Sequence, residues 1–203
     1  MAVLYIVRHG NTFDPGETVR RVGARTDLPL SASGEMQAAA LGDHFRNAAI
    51  AFNAAYCSPL QRTRQTAEAI AKHTGCEISI KSEPFLTEID YGPDENQPEE
   101  KVIERIGAEA LKRWDNDAIA PPGWAVDAAN LQNAWRQFFN KASDYGADAH
   151  ILCVTSNGVA RFALDVGKTA AVFPRKLRTG AFGRVRIESG DAPVIDCWDE
   201  RPA

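Results

Sequence analysis

Four short apolar runs of strand type, at residues 3–7, 53–57, 150–155 and 181–187, are separated along the chain by longer stretches of helical periodicity. Runs of this length suit buried strands, and helices placed between strands act as crossover connections, so the alternation predicts a layered α/β fold. The expected form is a three-layer α/β/α arrangement around a central, mostly parallel sheet. Ser31 to Asn47 opens with capping residues and sets Met36, Ala40, Leu41, His44 and Phe45 at helical spacing. Ser58 to Gly75 offers Ser58 as N-cap, Pro59 at the first helical position and Gly75 beyond the end. Residues 98–116 and 127–145 also read as helices, with Ala120-Pro-Pro-Gly123 as the break between them. A further helix is expected to open at Asn157, after the strand that ends near Val154.

Length and charge narrow the function. A chain of 203 residues is long enough for one domain with a sizeable core. The formal net charge of -4 argues against a duplex nucleic-acid surface, which needs a basic face. No leader-like N-terminus and no apolar stretch of spanning length is present, so a cytoplasmic protein without membrane contact is expected. The four cysteines are scattered, with no Cys-x-x-Cys pair and no histidine cluster, which predicts neither zinc nor disulfides. Cys153, inside an apolar run, reads as a small buried hydrophobe. His44, His73 and His150 read as structural residues on helix faces and at a strand end.

In open α/β sheets ligands bind beyond the carboxyl ends of the strands. The first strand delivers Arg8 and His9 there, followed by Gly10, Asn11 and Thr12. The second delivers Ser58, Pro59 and then Arg62 in the first turn of a helix, where free N–H groups already favour an anion and a guanidinium adds bidentate phosphate geometry. The third delivers Thr155, Ser156, Asn157 and Gly158. Glu88, from a fourth loop, supplies a carboxyl group suited to proton transfer. Taken singly, each of these residues reads as a surface or structural group. Together, three strand ends could face one anion.

Val7-Arg8-His9-Gly10-Asn11-Thr12, Gly23 to Ser31, Gly34 to Ala38, Ser58 to Ala67, Glu88-Ile89-Asp90-Tyr91-Gly92 and the tail Trp198 to Pro202 stand in one order at suitable separations. This set resembles the histidine phosphatase superfamily in its phosphoglycerate mutase-like branch. The resemblance implies one domain over 1–203, with a helical insertion at about 93–147 and a phosphoglycerate mutase-like sheet. It implies that His9 is the nucleophile and forms a phosphohistidine that water then hydrolyses. Arg8 and Arg62 would clamp the phosphoryl oxygens, and Glu88 would protonate the departing oxygen. Asn11, Thr12, Arg21, Gly23, Arg25, Ser156 and Asn157 fall at phosphate- or substrate-binding positions. No metal and no cofactor are implied, and the partner is a small phosphorylated substrate. The oligomeric state is left open.

The chain departs from the family at one point. Thr155-Ser156-Asn157-Gly158-Val159-Ala160-Arg161 aligns without gaps on a motif that normally carries a second histidine, and Ser156 stands in its place. Loss of one donor to the phosphoryl group costs on the order of 100-fold to 1000-fold in rate. Three readings follow: a slow or substrate-restricted phosphatase first, then a pseudoenzyme that binds a phosphorylated ligand, and last a phosphoglycerate mutase. Arg20, Arg21 and Arg25 read either as a subsite for an anionic group beyond the phosphate or as a solvated basic loop. Trp114, Trp124 and Trp135 read as pocket lining or as core.

Overall fold

The computed structural model describes residues 1–169, 171–188 and 190–202. Its strands are β1 (Ala2–Arg8), β2 (Ala54–Cys57), β3 (Ile80–Ser82), β4 (His150–Thr155), β5 (Lys168–Thr169), β6 (Phe182–Ile187) and β7 (Val194–Glu200). They form one sheet in the order β3-β2-β4-β1-β6-β7-β5. The pairs β1·β4, β2·β4, β2·β3 and β5·β7 are parallel, and β6 runs antiparallel to both β1 and β7. The expected α/β architecture is therefore present.

The two central strands are apolar on both faces because both faces are covered. Leu4, Ile6, Ile151 and Cys153 point to one side, and Tyr5, Val7, Leu152 and Val154 to the other, in the period of two that a strand imposes. Helices α1 (Ala32–Asn47) and α2 (Gln61–Thr74) cover the Tyr5 side through Leu41, Phe45, Ala67 and Ile70. Burying a side chain the size of Leu41 or Phe45 contributes about 1.5–3 kcal/mol. On the Leu4 side, α3 (Glu99–Ile106), α4 (Ala108–Asp117) and α5 (Ala128–Ser143) supply Val102, Trp114, Trp135, Phe138 and Phe139. Trp114, Trp124 and Trp135 are 1%, 7% and 0% exposed, which decides for core over pocket lining.

Several expectations need correction. Met36 is 67% exposed, since α1 buries the stripe Gly34, Ala38, Leu41 and Phe45. Ser58 does not cap α2, which begins at Gln61. The Ser58 hydroxyl instead pairs with Thr63 Oγ1 at 2.6 Å, and the Asp27 carboxylate accepts the Gln61 N–H at 2.7 Å. The stretch 98–116 divides at Gly107, whose φ of 81° interrupts the helix. Beyond Asn157 the α-helix α6 (Asn157–Ala160) is one turn long and continues as a 3₁₀ turn over Arg161–Asp165. The strands β3, β5 and β7 carry no apolar run of strand length and were not expected. Two of them are three residues long or fewer, and β7 interleaves Asp196, Asp199 and Glu200 with its buried Ile195 and Trp198.

Because β1, β2 and β4 are mutually parallel in this order, their carboxyl ends fall at one edge of the sheet. The β1·β4 register sets Arg8 beside Thr155, and the His9 N–H donates to the Thr155 carbonyl at 3.1 Å. The antiparallel β6 brings the chain that precedes it to the same edge. There the Arg8 N–H donates to Ala181 and the Gly180 N–H to the Arg8 carbonyl.

Candidate active site at the carboxyl edge of the central strands

His9 leaves β1 with its imidazole 6% exposed. Nδ1 lies 2.7 Å from the Gly10 carbonyl oxygen, and Nε2 lies 3.2 Å from Arg62 Nε. A carbonyl only accepts and a guanidinium only donates, so these partners place the proton on Nδ1 and leave the Nε2 lone pair as an acceptor. Burial, with the guanidiniums of Arg62 and Arg8, holds the His9 pKa well below that of a free histidine. The ring is neutral at pH 7.

The turn that presents His9 depends on close backbone approach. A Cβ on Gly10 would lie 2.3 Å from the Gly34 carbonyl oxygen, so the β1–α1 connection packs directly on the first turn of α1. Asn11 is fixed there: its N–H donates to Gln37 Oε1 at 2.8 Å, its Nδ2 to Ser33 Oγ at 3.2 Å, and its Oδ1 accepts from Thr179 at 2.5 Å.

Arg62 is fully buried. Nη1 donates to the Thr26 carbonyl at 2.8 Å and Nη2 to the Gly23 carbonyl at 3.1 Å, so the 23–26 segment aims the guanidinium at His9. Arg8 donates through Nη1 to the Leu177 carbonyl at 2.9 Å, and its buried Nε has no protein partner. Glu88 is 5% exposed; Oε1 accepts from the Ile89 N–H at 2.9 Å and Oε2 from the Gly158 N–H at 3.2 Å. A Cβ on Gly158 would lie 2.2 Å from Glu88 Oε1, so only glycine lets the carboxyl group sit there.

These groups meet at a cavity of about 530 Å³. Arg8, His9, Asn11, Thr12, Glu88 and Asn157 line it, and Arg21 lines it further out. Arg62 is itself off the wall and lies directly behind His9, which it contacts at 3.2 Å. Gly23 acts on Arg62 through its carbonyl rather than standing on the wall. Arg25 is also off the wall, turned away to the Asp90 carboxylate at 3.0 Å and the Gly92 carbonyl at 2.6 Å. Asn157 holds the opposite loop, accepting the Leu177 N–H on Oδ1 at 2.8 Å. Ser156 is fully buried with its hydroxyl unpartnered and is likewise off the wall.

The sequence reading missed several lining groups. Tyr91, Glu99, Asp115, Lys176 and Thr179 all face the cavity. Tyr91 lies within the Glu88–Gly92 segment; burial and the nearby Glu88 raise its pKa, so it is a neutral phenol. Lys176 and Asp115 carry no local signal, since only the fold brings them together. No group of three or more His, Cys, Asp or Glu side chains that could hold a metal occurs among the described residues. Burial pushes the Cys57 and Cys197 thiols up to about 11, which leaves little thiolate at pH 7.

A family model described as the histidine phosphatase superfamily, branch 1, matches residues 4–195. The chain belongs to that superfamily. A probable phosphoglycerate mutase GpmB of Salmonella choleraesuis (strain SC-B67) is 38% identical over 104 residues, 51% of this chain and 46% of that protein. The chain thus spans about half the length of the curated relatives it matches. Among solved structures, a mycobacterial glucosyl-3-phosphoglycerate phosphatase superposes with a TM-score of 0.76 at 17% identity, covering 98% of this chain and 99% of that one. A phosphoserine phosphatase of Entamoeba histolytica, in complex with 3-phosphoglyceric acid, gives 0.71 at 19% identity, covering 98% of each chain. At these identities the likeness is one of fold, and the superfamily's phosphoglycerate mutase-like sheet is the one found here. Among the described residues no helix is long and apolar enough to cross a membrane.

Proposed function

We propose that this protein is a metal-independent phosphatase that hydrolyses a small phosphomonoester through a phosphohistidine on His9. The observation that carries the reading is the state of His9: Nδ1–H is held by the Gly10 carbonyl, and burial with two arginines keeps Nε2 unprotonated. In the first step the Nε2 lone pair forms the N–P bond as the bond from phosphorus to the ester oxygen breaks. Glu88 passes a proton to that leaving oxygen. In the second step Glu88 takes a proton from water, the water oxygen bonds to phosphorus, and the N–P electrons return to Nε2.

Arg8 and Arg62 stabilise the three equatorial oxygens, which is where phosphoryl transfer gains most of its rate. Arg62 exchanges its Nε contact with His9 for a phosphoryl oxygen when substrate enters. Asn11, Thr12 and Asn157 line the same wall, Ser156 stands behind it and supplies no donor in place of the histidine, and turnover is correspondingly slow.

A second reading, a protein that binds a phosphorylated ligand without turning it over, is favoured by one observation: the Ser156 hydroxyl has no partner and does not reach the wall. The mutase reading is kept last. The test uses the protein and its His9→Ala variant on a panel of phosphoesters without added metal, reading phosphate release and acid-labile protein phosphorylation. Label and turnover present in the parent and lost together in the variant are expected. Neither label nor turnover from folded protein across the panel selects the binding reading.

A further inference from the structure

Away from His9 the cavity wall carries more charge than the proposed chemistry requires. Three cations stand there, Arg20, Arg21 and Lys176. Arg21 is held by Glu99 at 2.5 Å, with its side chain 16% exposed and its guanidinium carbon 5.4 Å from the Tyr91 ring centroid and 5.2 Å from that of Trp124. Lys176 lies 3.8 Å from Asp115. Arg20 donates to the Asn96 carbonyl at the rim, where Glu17 also stands. Asp14 is engaged at the start of α1, accepting the Ala32 and Ser33 N–H groups. Glu99 therefore answers Arg21, Asp115 is shared between Lys176 and the buried Arg161 at 3.7 Å, Glu17 accepts the Asp14 N–H at 2.6 Å, and Arg25, a further candidate for an anion, is bound to Asp90 away from the cavity.

We infer that the cavity selects phosphomonoesters whose alcohol portion carries no second anionic group, and that Glu99 enforces the selection by occupying Arg21. The inference rests on the phosphate-binding reading of the His9 site. An incoming carboxylate would have to displace Glu99 from a guanidinium packed against the T-shaped pair of Tyr91 and Trp124 rings, and would leave Glu99 unpaired beside it. An uncharged carbon skeleton meets no such competition, and Phe13, Val19 and Val22 offer it apolar wall. Val19 is 60% exposed, an apolar side chain left open at the cavity mouth. The volume of about 530 Å³ lies within the range of small-molecule sites, so the alcohol portion is enclosed along with the phosphate.

The test uses a pair of ligands with one skeleton: glycerol 3-phosphate, ending in a hydroxymethyl group, and 3-phosphoglycerate, ending in a carboxylate. Calorimetry with the His9→Ala protein reads binding without turnover. Glycerol 3-phosphate is expected to bind about tenfold more tightly, a difference of about 1.4 kcal/mol. Adding Glu99→Gln frees Arg21 and is expected to bring the ratio to about one, while Glu100→Gln, on the exposed face of the same turn, leaves it unchanged. Equal or tighter binding of 3-phosphoglycerate, binding of neither ligand, or a ratio unmoved by Glu99→Gln overturns the inference. Phosphate release by the parent protein is measured alongside. A preserved ratio without turnover removes the phosphatase reading and leaves the charge selection standing, whereas turnover with the reverse preference does the opposite.

Discussion

His9 illustrates how one side chain's surroundings determine its chemistry. Its ring is buried, contacts the Arg62 guanidinium, feels the charge of Arg8 and is tied at both nitrogens, so the folded protein resists protonating it. In the unfolded chain a histidine protonates near pH 6.5. Below that pH the unfolded state binds one more proton than the native state, so His9 lowers stability as the solution is acidified. The expected loss is about 1.4 kcal/mol per pH unit between pH 6.5 and the lower native pKa. Because the unfolded histidine is only half protonated at pH 6.5, denaturant titrations at pH 6.5 and 5.5 are expected to show an extra loss of about 1 kcal/mol in the parent and not in His9→Gln. The acid limb of kcat/KM belongs below pH 6.5 for the same reason. Arg8, His9, Arg62 and Glu88 were all legible in the sequence. What was not legible is that Arg62 is aimed by two carbonyls of the 23–26 segment, because those contacts span 36 and 39 residues.

At the scale of elements, the decisive devices are the junctions between strands and helices. The β4–α6 junction places the Gly158 N–H against Glu88 with no room for a side chain. In Gly158→Ala the new Cβ displaces a carboxyl group at the end of a flexible side chain, so the fold is expected to survive. Glu88 would shift by more than an ångström, and misplacement on that scale costs about 100-fold in rate. Thermal unfolding within a few degrees of the parent, with kcat reduced about 100-fold, is the expected result; an unchanged kcat would remove Glu88 from the proton-transfer role. The start of α2 follows the same logic. Ser58 looked like its cap by sequence distance, yet Asp27 caps it across 34 residues, and a local pattern cannot report a partner so remote.

For the whole molecule, the segment between β3 and β4 matters because it brings Glu99 and Asp115 to a cavity founded on β1. Asp94 pins that segment: 1% exposed, it accepts from Trp124 Nε1 at 2.6 Å and from two nitrogens of Arg105. Asp94→Ala leaves the buried indole N–H unpaired and is expected to cost about 2–3 kcal/mol, less than a fully enclosed ion pair because Arg105 keeps contact with water. Chemical denaturation measures it, and a loss under 0.5 kcal/mol would show that the segment is held by its apolar contacts instead. The period of its apolar residues and the polar triplets at its strand ends determined by themselves that this chain is a layered α/β protein whose candidate site gathers at one sheet edge. Those signals are local, and burial on both faces of a central strand writes them into consecutive residues. Tertiary structure alone decided that Arg25 turns away, that Ser156 is sealed off, and that Glu99 answers Arg21. Each depends on residues tens of positions apart, whose charges or shapes meet only when the chain has closed.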